Sequence, residues 1–206
     1  MLHSDRLEAA ELRADFTWLS ETPGCEDRAI AREAAVMMLL SEDPDPAVLF
    51  TRRARGIKQG GQVSFPGGAR DRGETPNQTA LRETFEEVGL PPSEIAIIGH
   101  VPSRKFTRLK VDVVPVVGRW HGDMSALRVS EAEVCEAFSV PVTQLVAPEN
   151  RCTWILGDVA RGPGFVIDGR FIWGMTAAIT DAVLRIMDFE QEWDAGRKLA
   201  VPPEFQ

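Results

Sequence analysis

Three glutamates stand close together within residues 82–88: Glu83, Glu86 and Glu87. On an α-helix, at roughly 100° per residue, these side chains project from one side within about a turn and a half. Like charges at such spacings repel each other, and a divalent cation converts that repulsion into a binding site. Carboxylate oxygens suit Mg²⁺ or Mn²⁺. The spacing alone is more typical of a solvated acidic face, so both interpretations stay open.

A run of basic residues lies just before these glutamates. Positions 51–70 hold five basic residues and no acidic one, whereas positions 1–50 hold four basic and eleven acidic residues. A basic island in a protein of net charge −8 indicates a local site for an anion. The alternative is the solvated face of an edge strand, where charged side chains prevent unwanted strand pairing.

The glutamates are predicted to lie on a helix with well-defined ends. Thr75 is a suitable N-cap, Pro76 fits the first helical position, and Gln78 completes a capping box. Gly89 is a suitable residue to end the helix. The opposite side of this helix is expected to pack on a sheet, through Leu81, Thr84, Phe85 and Val88.

Strands and helices alternate along the rest of the chain. The predicted strands are 34–40 and 47–53, which form a hairpin, followed by 95–101 and 111–117. A strand and a short helical turn are expected within 135–146, and a strand leading into an amphipathic helix within 171–188. Such interleaving predicts a mixed sheet with helices on both faces. We expect an N-terminal helical extension (1–30), a main domain (31–191) and a C-terminal tail (192–206).

The composition of the 206 residues excludes several classes of protein. Apolar residues make up 44%, enough for a globular core, and the negative net charge argues against general nucleic-acid binding. Neither a signal peptide nor an apolar run long enough for a membrane span is visible. The three cysteines form neither a disulfide framework nor a metal pair, which predicts a reducing, cytoplasmic location.

At this point the chain resembles a known family. Gly68, then Glu74, then residues 82–90 (Arg-Glu-Thr-Phe-Glu-Glu-Val-Gly-Leu) match the Nudix box, G-x5-E-x7-R-E-U-x-E-E-x-G-U. The departure is Thr84, where an aliphatic residue is usual. The resemblance implies an α/β/α sandwich in which a mixed β-sheet carries a loop-helix-loop catalytic motif.

The resemblance also implies roles for individual residues. Glu83 and Glu87 are expected to be the principal ligands of Mg²⁺ or Mn²⁺. Glu86 is expected to join them or to help activate the water, and Glu74 to contribute at the edge of the site. Arg82 is expected to orient these carboxylates, and the Gly67-Gly68 turn to let the backbone approach the metal. Glu133 resembles a loop glutamate that reaches the metal in many relatives and is the second candidate catalytic residue; it is also readable as a surface carboxylate.

Three segments are similar to the coenzyme A diphosphatase branch of this family: 49–54, 61–68 and 172–177. The branch implies substrate contacts in the basic island and the loop after it, from Arg53, Arg55, Lys58, Gln62 and Phe65. The basic members suit the anionic nucleotide of CoA, especially its 3′-phosphate. The chain departs from the branch at three places. Phe50 stands where the branch has leucine, and the basic spacer between the segments 49–54 and 61–68 is one residue shorter than in the branch. Near Gln59 the branch often has a histidine.

We therefore expect a hydrolase that cleaves CoA or acyl-CoA into adenosine 3′,5′-bisphosphate and a 4′-phosphopantetheine product. The partner is then a small molecule rather than a nucleic acid or a membrane, and a homodimer is compatible with the sequence. Two alternatives remain. One is a Nudix hydrolase of ADP-ribose, nucleotide sugars or nucleoside triphosphates. The other is a non-catalytic nucleotide-binding regulatory module, against which the intact glutamates argue.

Overall fold

The computed structural model describes residues 32–56, 59–101, 104–106 and 111–205. The helix predicted within 1–30 and the substrate contact predicted at Lys58 lie outside these residues. Strand β1 (Arg32–Ser41) pairs antiparallel with β2 (Ala47–Arg53), which confirms the predicted hairpin.

Among the residues that the structure describes, the main sheet contains eight strands. After β1 and β2 come β3 (Val63–Ser64), β4 (Gly67–Ala69), β5 (Ala96–His100), β6 (Arg104–Phe106), β7 (Val111–Trp120) and β8 (Val134–Pro141). The central order is β3-β2-β1-β7-β5, with β4 also on β1, β6 on β7 and β8 on β2. Strands β1 and β7 are parallel and the other pairs antiparallel, so the sheet is mixed as predicted.

Helices cover both faces of this sheet. The helices are α1 (Pro76–Val88), α2 (Val142–Val146) and α3 (Gly174–Ile186). Alternate residues of β1 serve the two faces, because successive side chains of a strand point in opposite directions. Ala35, Met37 and Leu39 pack with α1, whereas Val36, Met38 and Leu40 pack on the side of α3. The predicted α/β/α sandwich is confirmed.

Helix α1 has the predicted ends. The Thr75 side chain accepts a hydrogen bond from the Gln78 amide, and the Gln78 side chain accepts one from the Thr75 amide at 2.8 Å. Gly89 adopts φ 73°, a left-handed conformation that costs glycine little, and its amide donates to the Phe85 carbonyl. These caps define where the helix begins and ends, and so which turns carry the glutamates.

A second, four-stranded sheet was not predicted. Its strands are β9 (Arg151–Leu156), β10 (Ala160–Ile167), β11 (Arg170–Ile172) and β12 (Lys198–Ala200), in the order β11-β10-β9-β12. The prediction of a tail over 192–206 is wrong for its middle part, because β12 pairs with β9 and Val201 is buried. Within the described ranges, no helix has the length and apolarity needed to cross a membrane.

A buried ion pair joins the second sheet to α3. Arg151, at 1% exposure, donates from Nη2 to Oδ1 of Asp181 on α3. The guanidinium group also lies over the rings of Phe165 and Trp193, with its central carbon 4.5 and 4.6 Å from their centroids. Stacking of this kind suits the planar, weakly hydrated arginine head group.

Replacing Asp181 with alanine would leave the Arg151 charge buried without its carboxylate. Breaking such a pair typically costs about 3–5 kcal/mol. We therefore expect Asp181→Ala to lower the free energy of unfolding by about that amount, measured by urea titration. The matched control is Asp158→Ala, at an exposed position. Equal stability of the two variants would contradict the structural role given to the pair.

Candidate active site

Three carboxylates converge at the side of α1 that faces the sheet. Glu83 and Glu87 lie one helical turn apart, and Glu133 reaches them from the segment before β8. One oxygen from each of the three side chains lies within 4.8 Å of the others. The structure thus brings together two of the predicted metal ligands with the predicted loop glutamate.

The Gly67-Gly68 turn makes room for these carboxylates. A Cβ atom on Gly68 would lie 2.4 Å from Oε1 of Glu83, so only glycine leaves space for the carboxylate there. Gly67 adopts φ 153°, and a Cβ on it would lie 2.5 Å from the Ala35 carbonyl oxygen. The two glycines therefore permit β4 to run between β1 and the carboxylates of α1.

Main-chain hydrogen bonds fix Glu133 beside the helix. The Ser130 amide donates to the Glu87 carbonyl at 2.8 Å, which docks the 130–133 turn on the end of α1. The Glu133 carbonyl accepts from the Ala54 amide at 2.8 Å, which attaches the turn to the end of β2. Glu133 is thus held between α1 and β2, although it is 46 residues from Glu87 in sequence.

Burial makes the carboxylate cluster electrostatically costly. Glu87 is 3% exposed, and its Oε2 atom has no hydrogen-bond partner among the described residues. Burial raises the pKa of Glu87 from 4.5 to about 8; Arg53 opposes this shift, and the charges of Glu83 and Glu133 add to it. Burial also raises the pKa of Glu83, against the hydrogen bond from Arg82. Such a cluster favours either protons or a cation.

Arg82 binds the other two predicted ligands. Its Nε donates to Oε1 of Glu74 at 2.8 Å, and its Nη1 donates to Oε2 of Glu86 and Oε1 of Glu83, each at 2.9 Å. The hydrogen bond from Arg82 lowers the pKa of Glu74 to about 2. The predicted orienting role of Arg82 agrees with these contacts. Glu74 and Glu86, however, are not in the three-carboxylate cluster, and their role as ligands stays a prediction.

The predicted division of α1 into a packing side and a carboxylate side is wrong at two positions. Phe85 was expected to pack on the sheet but is 53% exposed, whereas Glu87 is buried. Glu83 and Glu87 are turned toward the Gly67-Gly68 turn, whereas Glu86 is exposed. Thr84, which departs from the family pattern, is fully buried and donates its hydroxyl to the Ala80 carbonyl at 2.7 Å. Its polar group is therefore satisfied within the helix.

The predicted substrate contacts lie in different environments. Arg53 lowers the pKa of Glu87 against the effect of burial, so its charge acts on the carboxylate cluster. Arg55 is exposed. Gln62 donates from Nε2 to the Phe205 carbonyl at 2.7 Å, a contact with the segment predicted as a tail. Phe65 is 3% exposed and stacks on Phe50 with ring centroids 5.3 Å apart. Phe65 therefore packs in the core, where its predicted contact with substrate is indirect at most.

A second charged cluster was missed from the sequence. Glu136 on β8 binds Arg52 of β2 at 3.0 Å and also binds Arg170 of β11. Arg170 follows the Asp168-Gly169 turn, whose two residues have φ 50° and 73°. An Asp-Gly pair between apolar runs is a strong signal for a two-residue hairpin and would have predicted β10 and β11. No sequence signal links Arg170 to Glu136.

The site residues suit a divalent metal ion. The cluster offers three carboxylate oxygens, which are the ligands preferred by small hard cations. The unpartnered Oε2 atom of Glu87 is the clearest indication, because a buried carboxylate oxygen without a donor is otherwise expensive. A cation at this position would satisfy it.

Comparison with known proteins agrees with this geometry. The sequence model of the NUDIX domain matches residues 31–155. A protein of Escherichia coli described as uncharacterized Nudix hydrolase NudL is 38% identical over 153 residues, which cover 72% of this chain and 79% of that protein. Nudix hydrolase 3 of Caenorhabditis elegans is 35% identical over 116 residues, which cover 55% of this chain and 48% of that protein.

Solved structures are also similar. The structure of a Nudix hydrolase from M. smegmatis, RenU, has 28% sequence identity and a TM-score of 0.45. The matched region covers 55% of this chain and 73% of the RenU chain. The structure of a C. elegans Ap4A hydrolase has 17% sequence identity and a TM-score of 0.47. The matched region covers 55% of this chain and 83% of the Ap4A hydrolase chain.

The family match and the similarity to NudL together show that the chain belongs to the Nudix family. It is a Nudix hydrolase, an enzyme that cleaves diphosphate linkages in small-molecule substrates, and enzymes of this family in general need a divalent metal ion.

Substituting glutamine at Glu83 or Glu87 retains the side-chain shape and removes the charge. We expect each variant to lose at least about 10²-fold in metal-dependent rate, as when one electrostatic group is removed from an active site. Glu94→Gln, at an exposed position beyond the helix, is the control and should retain the wild-type rate. Near-normal activity of Glu83→Gln would contradict its assignment to the metal site.

The stability of the metal-free protein distinguishes loss of metal binding in the Glu87 variant from a failure to fold. Because the pKa of Glu87 is raised to about 8, metal-free wild-type protein should be most stable below pH 4.5 with respect to this group, and lose that stability as pH rises through 8. Glutamine does not ionise, so metal-free Glu87→Gln should melt at a higher temperature than wild type at pH 9. Thermal unfolding in EDTA at pH 5 and pH 9 measures this difference.

Proposed function

We propose that this enzyme hydrolyses the diphosphate of CoA or acyl-CoA in a reaction that depends on Mg²⁺ or Mn²⁺. The observation that carries the proposal is the convergence of Glu83, Glu87 and Glu133 next to Arg53. Carboxylates that hold a cation and an arginine beside them together match the charge of a diphosphate. The products are adenosine 3′,5′-bisphosphate and 4′-phosphopantetheine or its acyl derivative.

In this reaction the residues of the cluster have separate tasks. Glu83, Glu87 and Glu133 would hold the metal, which when bound neutralises the diphosphate oxygens that otherwise repel a nucleophile. Glu133 is exposed and ends a short turn, so it is also the group best placed to accept a proton from the attacking water. Arg82 holds Glu83 in place and binds Glu86 through the same nitrogen.

The choice of CoA rests on the three segments similar to the CoA diphosphatase branch. Two of them contact each other: the Thr176 hydroxyl, in the segment that opens α3, donates to the Val63 carbonyl at 3.0 Å. Gln62 in the same loop binds the Phe205 carbonyl. The loop before the Gly67-Gly68 turn is therefore supported by the C-terminal part of the chain, which lies mostly beyond the family match at 31–155.

A substrate panel tests the proposal directly. With Mg²⁺ or Mn²⁺ present, we expect kcat/KM for CoA or acetyl-CoA to exceed those for ADP-ribose, UDP-glucose and diadenosine tetraphosphate by at least about tenfold, which corresponds to about 1.4 kcal/mol. Mass spectrometry should find adenosine 3′,5′-bisphosphate among the products. The same panel in EDTA is the control and should show no turnover.

Other outcomes of the panel distinguish the alternatives. Preference for ADP-ribose, a nucleotide sugar or a nucleoside triphosphate would overturn CoA as substrate while leaving the diphosphate chemistry intact. Tight nucleotide binding without turnover of any compound would indicate the non-catalytic regulatory module instead.

Arg53 is proposed to contact the diphosphate rather than the 3′-phosphate expected from the sequence. Its effect on the pKa of Glu87 supports a position beside the metal carboxylates. We expect Arg53→Ala to reduce kcat/KM for CoA and for dephospho-CoA by the same factor, about 10- to 100-fold for a charge-assisted hydrogen bond. Arg70→Ala, in the same basic island but paired with Glu33, is the control. A reduction of kcat/KM for CoA but not for dephospho-CoA would contradict this proposal and indicate that Arg53 contacts the 3′-phosphate.

A further inference from the structure

A cluster of two arginines on one glutamate lies outside the carboxylate site. Arg52 and Arg170 both bind Glu136, through its two different carboxylate oxygens. Two positive groups share one negative group, so the cluster keeps a net positive charge. The side chains of Arg52, Arg170 and Glu136 are 43%, 29% and 26% exposed, which leaves the cluster accessible to a ligand.

The protein satisfies only part of the hydrogen-bonding capacity of these arginines. Each uses Nη2 for Glu136. The Nε atoms of both have no partner among the described residues but are buried, so a ligand would have to accept from the outer nitrogens. A guanidinium group has several N–H donors in a fixed plane, and paired guanidinium groups suit a phosphate that accepts from both.

The cluster is held rigidly. Arg170 is the first residue of β11 and follows a tight two-residue turn, with Ile167 opposite Arg170 in the ladder. Its guanidinium carbon lies 4.3 Å from the centroid of the Phe138 ring, which fixes the plane of the group. On the other side, Arg52 and Glu136 are direct neighbours in the β2–β8 ladder.

The cluster also lies at the same end of the sheet as the carboxylate site. Strand β2 ends at Arg53, and β8 begins one residue after Glu133. In the β2–β8 ladder Arg52 is opposite Glu136, and Arg53 is opposite Val134, the residue that follows Glu133, across a shift in register. A ligand that crosses the end of this strand pair would therefore meet Arg53 and the carboxylates with one group and Arg52 and Arg170 with another.

We propose that Arg52 and Arg170, held together by Glu136, form a subsite for a phosphate monoester on the substrate. This inference rests on the proposed function, because the ligand of the subsite follows from the choice of CoA. CoA carries one anionic group besides its diphosphate, the 3′-phosphate of the ribose, and its pantetheine arm is neutral. The subsite thus recognises the 3′-phosphate, one ribose away from the diphosphate at the metal site.

Comparison of CoA with dephospho-CoA, which lacks only this phosphate, tests the subsite. We expect Arg52→Ala and Arg170→Ala each to raise KM for CoA by about 10- to 100-fold, with little change in kcat or in KM for dephospho-CoA. Arg170→Lys retains the charge but loses the planar fork and should be intermediate. Arg161→Ala, an exposed arginine of the same second sheet, is the control and should match wild type for both substrates.

A binding measurement avoids dependence on turnover. Adenosine 3′,5′-bisphosphate should bind the wild-type enzyme more tightly than AMP by calorimetry, and Arg170→Ala should abolish that difference. Equal losses for the two substrates, or no loss for either, would overturn the subsite while CoA hydrolysis stands. A wild-type enzyme that prefers dephospho-CoA would also overturn it. Failure to hydrolyse either compound would instead overturn the proposed function, and the subsite with it.

Discussion

The structure depends on keeping two helix carboxylates, Glu83 and Glu87, in a space beside the sheet. Charged groups resist burial, and the pKa of Glu87 is raised to about 8 as a result. Three neighbouring features stabilise this arrangement. Gly67 and Gly68 leave the space, and Arg82 offsets part of the negative charge. The caps of α1 fix which helical turn lies against the Gly67-Gly68 turn. The remaining charge is matched when a cation is bound.

The sheet turns this local arrangement into a binding site. Strands β2 and β8 are adjacent and antiparallel, so the end of one meets the start of the other. At this end Arg52 is opposite Glu136, whereas Arg53 is opposite Val134, which directly follows Glu133 of the metal site. One strand pair therefore positions both the reacting diphosphate and, in our proposal, a second phosphate. The second sheet completes the arrangement by supplying Arg170.

The sequence predicted α1 and the β1–β2 hairpin correctly because both depend on residues that are close together along the chain. Capping residues, a proline at the first helical position and the glycine at 89 define α1 within a few residues of chain. Two apolar runs separated by a polar, proline-rich turn predicted the β1–β2 hairpin. The Nudix box identified the family, and the family match agrees. The second sheet was missed although the Asp168-Gly169 turn is a signal for its β10–β11 hairpin, because glycines and a proline interrupt β10 and because β12 is stabilised by β9 rather than by its own pattern.

By itself, the sequence determined the catalytic helix, its carboxylates and the mixed sheet with helices on both faces. Only the tertiary structure decided which carboxylates meet, because that depends on contacts between distant segments. The 130–133 turn brings Glu133 to Glu87, whereas Glu74 and Glu86 bind Arg82 and lie outside the three-carboxylate cluster. The helical wheel could not decide that Glu87 is buried and Phe85 exposed, because the wheel takes no account of the space left by two glycines on another strand.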